Sequence, residues 1–295
     1  MDRAERNKIR QFFNLLRYRF FLTAGILPYI LGASASCHSL NIFHWNYFLI
    51  GLIGIGFSLV AVETFNEYFD AKVGTDRIFQ QGPLPKIPEY ILAIGIGAFG
   101  AAFLLGLYLT IARGLPVMLF AIFGFLAAAF YVGPPLRWAY RGLGEAVIFL
   151  SYGPFMTLGS YYLQAQRIDS VGIFAGLLGG VLIFSLAIIN EVPDFYQDRL
   201  VGKRNLVVRF GKKSAVSIYG AALIVSFGLI ALGVALRVFP ALYLFAFFAL
   251  PVAFRNVSIA KKHFEEPEKF IPAIRGSIIL YLVLTISLVI FYLIS

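Results

Sequence analysis

The sequence predicts an all-α, polytopic membrane protein with about nine transmembrane helices around a central cavity. Apolar residues make up 60% of the 295 positions and charged residues only 14%, whereas soluble domains are about half apolar and a quarter charged. The apolar residues fall into nine segments, each long enough to cross ~30 Å of hydrocarbon as a helix. We therefore expect one transmembrane domain over 20–295, preceded by a basic cytoplasmic segment over 1–19.

The loops between the predicted spans differ sharply in charge. With the N-terminal tail, every second loop contains 22 of the 25 Lys and Arg residues. Because Lys and Arg concentrate on the cytoplasmic side of membrane proteins, the N-terminus is predicted to be cytoplasmic and the C-terminus outside, most simply across the cell (inner) membrane. Arg113, alone in an outer loop, is expected to be dispensable. The spans cover 20–38, 46–66, 88–111, 115–132, 143–163, 171–190, 214–236, 238–256 and 273–294.

Two matching acidic motifs stand at the inner ends of the second and sixth spans. Asn-Glu-x-x-Asp begins at Asn66 and again at Asn190, and each motif is followed by Asp-Arg. Both spans run from outside to inside, so the match indicates two parallel pseudo-repeats. The two clusters then lie at one depth and face each other across the cavity. Their candidate metal ligands are Asn66, Asp70, Asp76, Asn190, Asp194 and Asp198.

These acids require positive counter-charge. Two carboxylates ~4 Å apart repel by about 4 kcal/mol at an effective dielectric of ~20. The donors are all oxygen atoms, which favours Mg²⁺ held by one or two carboxylates together with substrate phosphates. Basic residues at the same predicted depth suit a diphosphate, and the apolar surroundings suit a lipid tail. These basic residues are Arg17, Arg77, Lys86, Arg137, Arg141, Lys203 and Arg204. They lie beside membrane ends, so no nucleic-acid partner is expected.

The double motif resembles the UbiA superfamily of intramembrane aromatic prenyltransferases over essentially the full chain. Two Asp-rich motifs at the cytoplasmic ends of the second and sixth of nine helices are the hallmark of that superfamily. Gly74 stands where much of the superfamily has its second Asp, and Asp76 follows two residues later. Further segments resemble the branch that prenylates 1,4-dihydroxy-2-naphthoate in menaquinone synthesis. These segments are 74–77, 131–135, 140–145, 158–162 and 198–206.

The resemblance implies that the candidate ligands hold two Mg²⁺ ions, which bridge the diphosphate of a polyprenyl donor. It also implies an aromatic acceptor, with contacts from Tyr131 and Glu145, and contact with membrane lipid. The basic residues would stabilise the departing diphosphate. The implied catalytic residues are Asp70, Asp194, Arg137 and Tyr131.

Two alternatives accompany this interpretation. The same chemistry could use 4-hydroxybenzoate, homogentisate, an ether-lipid glycerol phosphate or a tetrapyrrole as acceptor. A secondary transporter is the alternative from another functional class, because carriers also combine parallel repeats, broken helices and intramembrane acids. Carrier sites usually lie near the bilayer midplane, whereas these acids lie at the inner boundary. That depth favours the enzyme.

Overall fold

A computed structural model describes residues 25–73 and 88–295, with the side chains of 70–73 excepted. Within these ranges every regular element is helical. Three other helical segments lie between the α-helices. Two have the tighter 3₁₀ form, at Trp138–Tyr140 and Ala241–Ala249, and one is a wider π-helical turn at Ser151–Phe155. The α-helices are α1 (Leu27–Leu40), α2 (Trp45–Val73), α3 (Tyr90–Arg113), α4 (Leu115–Phe130), α5 (Gly144–Leu150), α6 (Met156–Ala165), α7 (Ser170–Glu191), α8 (Phe195–Leu200), α9 (Leu206–Phe210), α10 (Lys212–Ala235), α11 (Leu250–His263) and α12 (Pro267–Ile294).

The membrane-spanning helices confirm the predicted fold class. Six helices in the described ranges are long and apolar enough to cross a bilayer. α1 and α4 are shorter, and the π-helical turn divides the segment predicted as the fifth span. The total of nine spans therefore stays a prediction. The six are Trp45–Phe69, Tyr90–Arg113, Ser170–Glu191, Lys212–Ala235, Ala241–His263 and Pro267–Ile294.

Helix α7 lies at the centre of the packing. It contacts α1, α5, α10 and α12, and 67% of its apolar stretch is buried, a larger share than in the other five long spans. Small residues allow its neighbours to approach closely. A Cβ added to Gly153 would lie only 2.3 Å from Gly180 Cα, so Gly153 is required for the π-helical turn to pack against α7.

The π-helical turn follows from the sequence within it. Pro154 has no N–H group, so it cannot donate to the α-helical ladder, and the chain widens locally there. The close contact with α7 fixes the direction of the turn. As a result α5, the turn and α6 form one bent segment, and Ser151, Tyr152 and Phe155 lie on the wall of the cavity described below.

The helix at the second acidic motif is broken at Pro193, which cannot donate to a continuing helical ladder. α7 ends at Glu191, the chain turns through Pro193, and α8 begins at Phe195. Asn190 and Asp194 therefore do not share one continuous helical face, although both remain at the same end of the fold. Gly74, which follows the first motif, lies outside the described residues.

Arg113 has more contacts than its outer position suggested. It is 8% exposed, and its Nε and Nη2 atoms donate to the Leu163 and Gln164 carbonyls, each at 2.8 Å. Its guanidinium also lies 4.8 Å from the ring centroid of Tyr47. The side chain thus satisfies the last carbonyls of α6, which have no partner within that helix. Arg113 therefore has a structural role, and the expectation that it is dispensable for catalysis stays a prediction.

We expect Arg113→Ala to lower the free energy of unfolding by about 3 kcal/mol, because two buried carbonyls would lose charged donors. Thermal unfolding of the detergent-solubilised protein measures this effect. Arg167→Ala is the matched control, since the Arg167 side chain is 57% exposed and lies 3.4 Å from Asp169. Such exposed pairs contribute at most about 1 kcal/mol. Equal melting temperatures for the two variants would contradict the role given to Arg113.

Candidate functional site

A cavity of about 1000 Å³ lies between α2, α3, α4, the α5–α6 segment and α7. This volume is at the upper end of the ~300–1,000 Å³ typical of small-molecule sites. On α2 the lining runs from Gly51 to Glu67, which is about 24 Å of helix at ~1.5 Å per residue. Most of the wall is apolar, and the acidic residues gather at the inner ends of α2 and α7.

The two sequence motifs meet at this polar end. Asn66 and Glu67, on the last described turns of α2, line the same cavity as Asn190 and Glu191 at the end of α7. The turn after α7 adds Asp194, and α8 with its following turn adds Asp198 and Lys203. The expectation that the motifs share one cavity therefore holds for their described members.

Orphaned oxygen atoms at the polar end fit a hard cation. Asn66 Oδ1 and Glu191 Oε2 are buried without a hydrogen-bond donor within the described residues, and the Glu145 carboxyl lies beside Glu191. Such an arrangement is costly unless a ligand satisfies these oxygens. Among the residues at 25–73 and 88–295 whose side chains are described, no three His, Cys, Asp or Glu side chains form a ready-made metal site. Mg²⁺ usually takes one or two protein carboxylates and completes its shell with water and phosphate oxygens.

Asp198 is held by two neighbouring side chains. It is 6% exposed, its Oδ1 lies 3.4 Å from Lys203 Nζ, and its Oδ2 accepts a hydrogen bond from Asn205 Nδ2 at 2.7 Å. Burial raises the pKa of the Asp198 carboxyl above its ordinary value, while Lys203 and Asn205 act in the opposite direction. A cation bound at this end would further favour the ionised carboxylate.

Two predicted cations flank one aromatic ring. The Arg137 guanidinium lies 5.7 Å from the ring centroid of Tyr140, and Lys203 Nζ lies 5.9 Å from the same centroid. Both distances are within the range of cation–π attraction. Lys203 lines the cavity and Arg137 does not. Among the cavity-lining residues that the structure describes, Lys203 is therefore the cation placed to meet an anionic ligand.

Of the other predicted site residues, some line the cavity and others lie away from it. Tyr131 lines the cavity, whereas Arg137, Arg141, Glu145 and Arg204 are not part of its lining. Glu145 is fully buried and accepts a hydrogen bond from the Leu206 amide. This position supports a contact within the protein better than the predicted contact with an aromatic acceptor. Arg17, Asp76, Arg77, Lys86 and the side chain of Asp70 lie outside the described residues.

Sequence patterns did not indicate the residues of the π-helical turn. Ser151, Tyr152 and Phe155 line the cavity, and Phe155 stacks on Phe123 at 3.7 Å between ring centroids. Glu63, one turn deeper than Glu67, is an electrostatic neighbour of Tyr152. The Gly153-Pro154 pair inside an apolar segment was the available signal, since such a pair interrupts a regular helix.

Known proteins resemble this chain in sequence and in fold. The model of the UbiA prenyltransferase family matches residues 26–283. A 1,4-dihydroxy-2-naphthoate octaprenyltransferase of Bacillus subtilis is 27% identical over 212 residues, covering 70% of this chain and 68% of that protein. The apo structure of a UbiA homologue from Aeropyrum pernix superposes with a TM-score of 0.67 at 13% identity, covering 92% and 98% of the two chains. The structure of a UbiA homologue from Archaeoglobus fulgidus, bound to DMAPP and Mg²⁺, superposes with a TM-score of 0.64 at 15% identity, covering 94% of this chain and 98% of that one.

Proposed function

The chain belongs to the UbiA prenyltransferase family, and from that premise we propose that it transfers a polyprenyl group from an isoprenyl diphosphate to 1,4-dihydroxy-2-naphthoate with the help of Mg²⁺. The observation that supports this most strongly is the meeting of both acidic motifs at one end of a long apolar cavity. The polar end suits a metal-bound diphosphate, and the apolar walls suit a prenyl tail. The naphthoate acceptor is supported by the name of the Bacillus subtilis relative.

Several side chains at the polar end of the cavity would bind the diphosphate of the donor. Asn66, Asn190, Asp194 and Asp198 would hold Mg²⁺, with the side chains of the first motif that lie beyond the described residues. When bound, the ions neutralise the negative charge that develops on the departing diphosphate. Lys203 contributes a fixed positive charge at the same end of the cavity, which lowers the free energy of that charge-separated state.

The apolar walls of the cavity would keep water away from the reactive carbon of the prenyl group. Breaking the prenyl C1–O bond sends its electron pair to the diphosphate and leaves an allylic cation, which water would quench. Phe99, Phe120 and Phe155 line the cavity and exclude water, and aromatic faces also stabilise a cation by about 0.5–2 kcal/mol. The acceptor ring carbon then forms the new C–C bond. Its carboxylate leaves as CO₂, and the released electron pair restores the aromatic ring.

A transfer assay on the purified protein in nanodiscs tests this function. It uses a radiolabelled polyprenyl diphosphate with either 1,4-dihydroxy-2-naphthoate or 4-hydroxybenzoate, in Mg²⁺ or EDTA. We expect Mg²⁺-dependent labelling of the naphthoate, together with CO₂ release. Labelling of only the benzoate would retain the chemistry and reject the acceptor. Labelling of neither acceptor, without diphosphate release, would reject the proposal.

The depth of the cavity leads to a prediction about donor length. Gly54 lines the cavity about 18 Å of helix from Asn66, which is roughly three isoprene units at four carbon–carbon bonds of ~1.5 Å each. A Cβ at Gly54 would meet only ordinary contacts, the nearest at 3.7 Å. We expect Gly54→Leu to lower kcat/KM for octaprenyl diphosphate about tenfold relative to geranyl diphosphate, on the scale of an overpacking cost of ~1–3 kcal/mol.

Gly56→Leu is the matched control. Gly56 lies on the same helix, has open space where a Cβ would stand, and is not part of the cavity lining. Both substitutions raise helix propensity equally, so propensity cannot separate them. An equal response of the two variants, or an equal loss with long and short donors, would refute the assignment of this part of the cavity to the prenyl tail.

A further inference from the structure

Both carboxylate oxygens of Asp198 have a partner from the turn that follows it. Asn205 Nδ2 donates to Oδ2 at 2.7 Å, and Lys203 Nζ lies 3.4 Å from Oδ1. The backbone adds a third link, since the Lys203 amide donates to the Asp198 carbonyl at 2.9 Å. The orientation of this buried carboxylate is therefore set by residues 203–205.

Asn205 connects the acid to a helix start. It is 3% exposed and is the N-cap of α9, where its Oδ1 accepts from the Val208 amide at 2.8 Å. An amide N–H can only donate, so the Val208 contact requires the oxygen of Asn205 on that side. Its NH₂ group must then point toward Asp198. The cap thus determines which way the Asn205 side chain faces.

Glu145 fixes the same helix start from a distant part of the chain. This residue of α5 is fully buried, and its Oε1 accepts from the Leu206 amide at 2.6 Å. Amides in the first turn of a helix have no partner within that helix, so Glu145 and Asn205 satisfy two of them. The N-terminus of α9 is consequently tied to α5, which contributes Val147 and Ile148 to the cavity lining.

We propose that Asn205 is a positioning residue that holds the Asp198 carboxylate in the orientation needed to bind the metal–diphosphate, and that Glu145 keeps Asn205 in place. This inference rests on the proposed function, because it gives Asp198 a ligand. It assigns Glu145 a role through the α9 N-terminus, in place of a contact with the acceptor.

Asn205→Asp tests the positioning of Asp198 separately from the capping of α9. Asn and Asp are nearly equal as N-caps, so the helix start should remain intact, but an acceptor oxygen would then face the Asp198 carboxylate. We expect a change of only a few degrees in melting temperature. Mn²⁺ affinity, measured by electron paramagnetic resonance with a prenyl diphosphate present, should fall about 10- to 100-fold, as for other residues that orient a metal ligand. Asn205→Ser, which keeps a capping hydroxyl, should lose a similar factor.

Two further variants complete the test. Glu145→Gln retains an acceptor for the Leu206 amide and should bind Mn²⁺ more tightly than Glu145→Ala, in which that amide loses its acceptor. Both variants remove the negative charge that Glu145 places near Glu191 and Asp198, so the charge does not account for a difference between them. Asp169→Asn is the matched control, because it makes the reverse exchange between Asp and Asn at a different N-cap. Asp169 caps α7, where its side chain accepts from the Val171 and Gly172 amides. It should not change Mn²⁺ affinity.

Unchanged Mn²⁺ affinity in folded Asn205→Asp and Asn205→Ser would overturn the inference. Failure of both variants to fold would also overturn it, since Asn205 would then have only a structural role. The binding measurement needs no acceptor and no turnover. Absence of prenyl transfer by the wild-type protein would therefore count against the proposed function alone, while Mn²⁺ binding would still decide the role of Asn205.

Discussion

Asp194→Ala is expected to abolish prenyl transfer, with a loss in kcat/KM of about a thousandfold, at the upper end of the ~10²–10³ seen when one charge-stabilising group is removed. Asp194 belongs to the second acidic motif and lines the polar end of the cavity. Its side chain is exposed there, so the substitution leaves no hole in the packed core. The folded protein should therefore retain its melting temperature while losing turnover.

Transfer rates and thermal unfolding, measured on the same preparation, check this prediction. Glu268→Ala is the matched control, because Glu268 is an exposed carboxylate in the first turn of α12 and is not part of the cavity lining. It should retain wild-type activity. Near-normal activity of Asp194→Ala would reject a metal–diphosphate at this end of the cavity.

Removal of divalent cations is expected to have an equally large effect. With EDTA, transfer should fall to background, because several acids would then face a diphosphate of the same charge without a counter-ion. Added Mg²⁺ should restore the full rate, since the orphaned Asn66 and Glu191 oxygens and the nearby carboxylates are hard donors. Rates measured across a Mg²⁺ titration provide the test.

The titration also needs a donor-binding measurement. If the cation acts on the diphosphate, EDTA should weaken binding of the donor and leave binding of the aromatic acceptor alone much less affected. Full transfer in EDTA, after dialysis against chelator, would show that the acidic motifs have another purpose. Zn²⁺ is expected to restore little activity, because the site offers oxygen atoms rather than the His and Cys ligands that zinc prefers.

The polar end of the site was largely predictable because it depends on a repeat. Asn66 and Asn190 begin matching motifs at the ends of two spans that run in the same direction, so sequence and topology together place them at one depth. The structure finds both residues on one cavity. The break at Pro193 was also predictable, since proline lacks the N–H group that a continuing helix requires.

Long-range contacts were not predictable in the same way. Arg113 binds carbonyls some fifty residues away, and Glu145 binds an amide about sixty residues away. Helical periodicity shows which face of its own helix a residue occupies, but it does not identify the partner packed there. The direction of the bend at Ser151–Phe155 likewise depends on the contact between Gly153 and Gly180, which neither local sequence reveals.

The central claim is that a metal-bound prenyl diphosphate occupies the polar end of the cavity. The most direct test is a crystal structure with Mn²⁺ and a non-hydrolysable prenyl thiolodiphosphate, using the anomalous signal of the metal. We predict Mn²⁺ between Asn66 and Asp194, with the diphosphate toward Lys203 and the tail directed along α2 toward Gly51. A thiolodiphosphate bound elsewhere, or bound at this end without Mn²⁺ beside either acidic motif, would contradict the account.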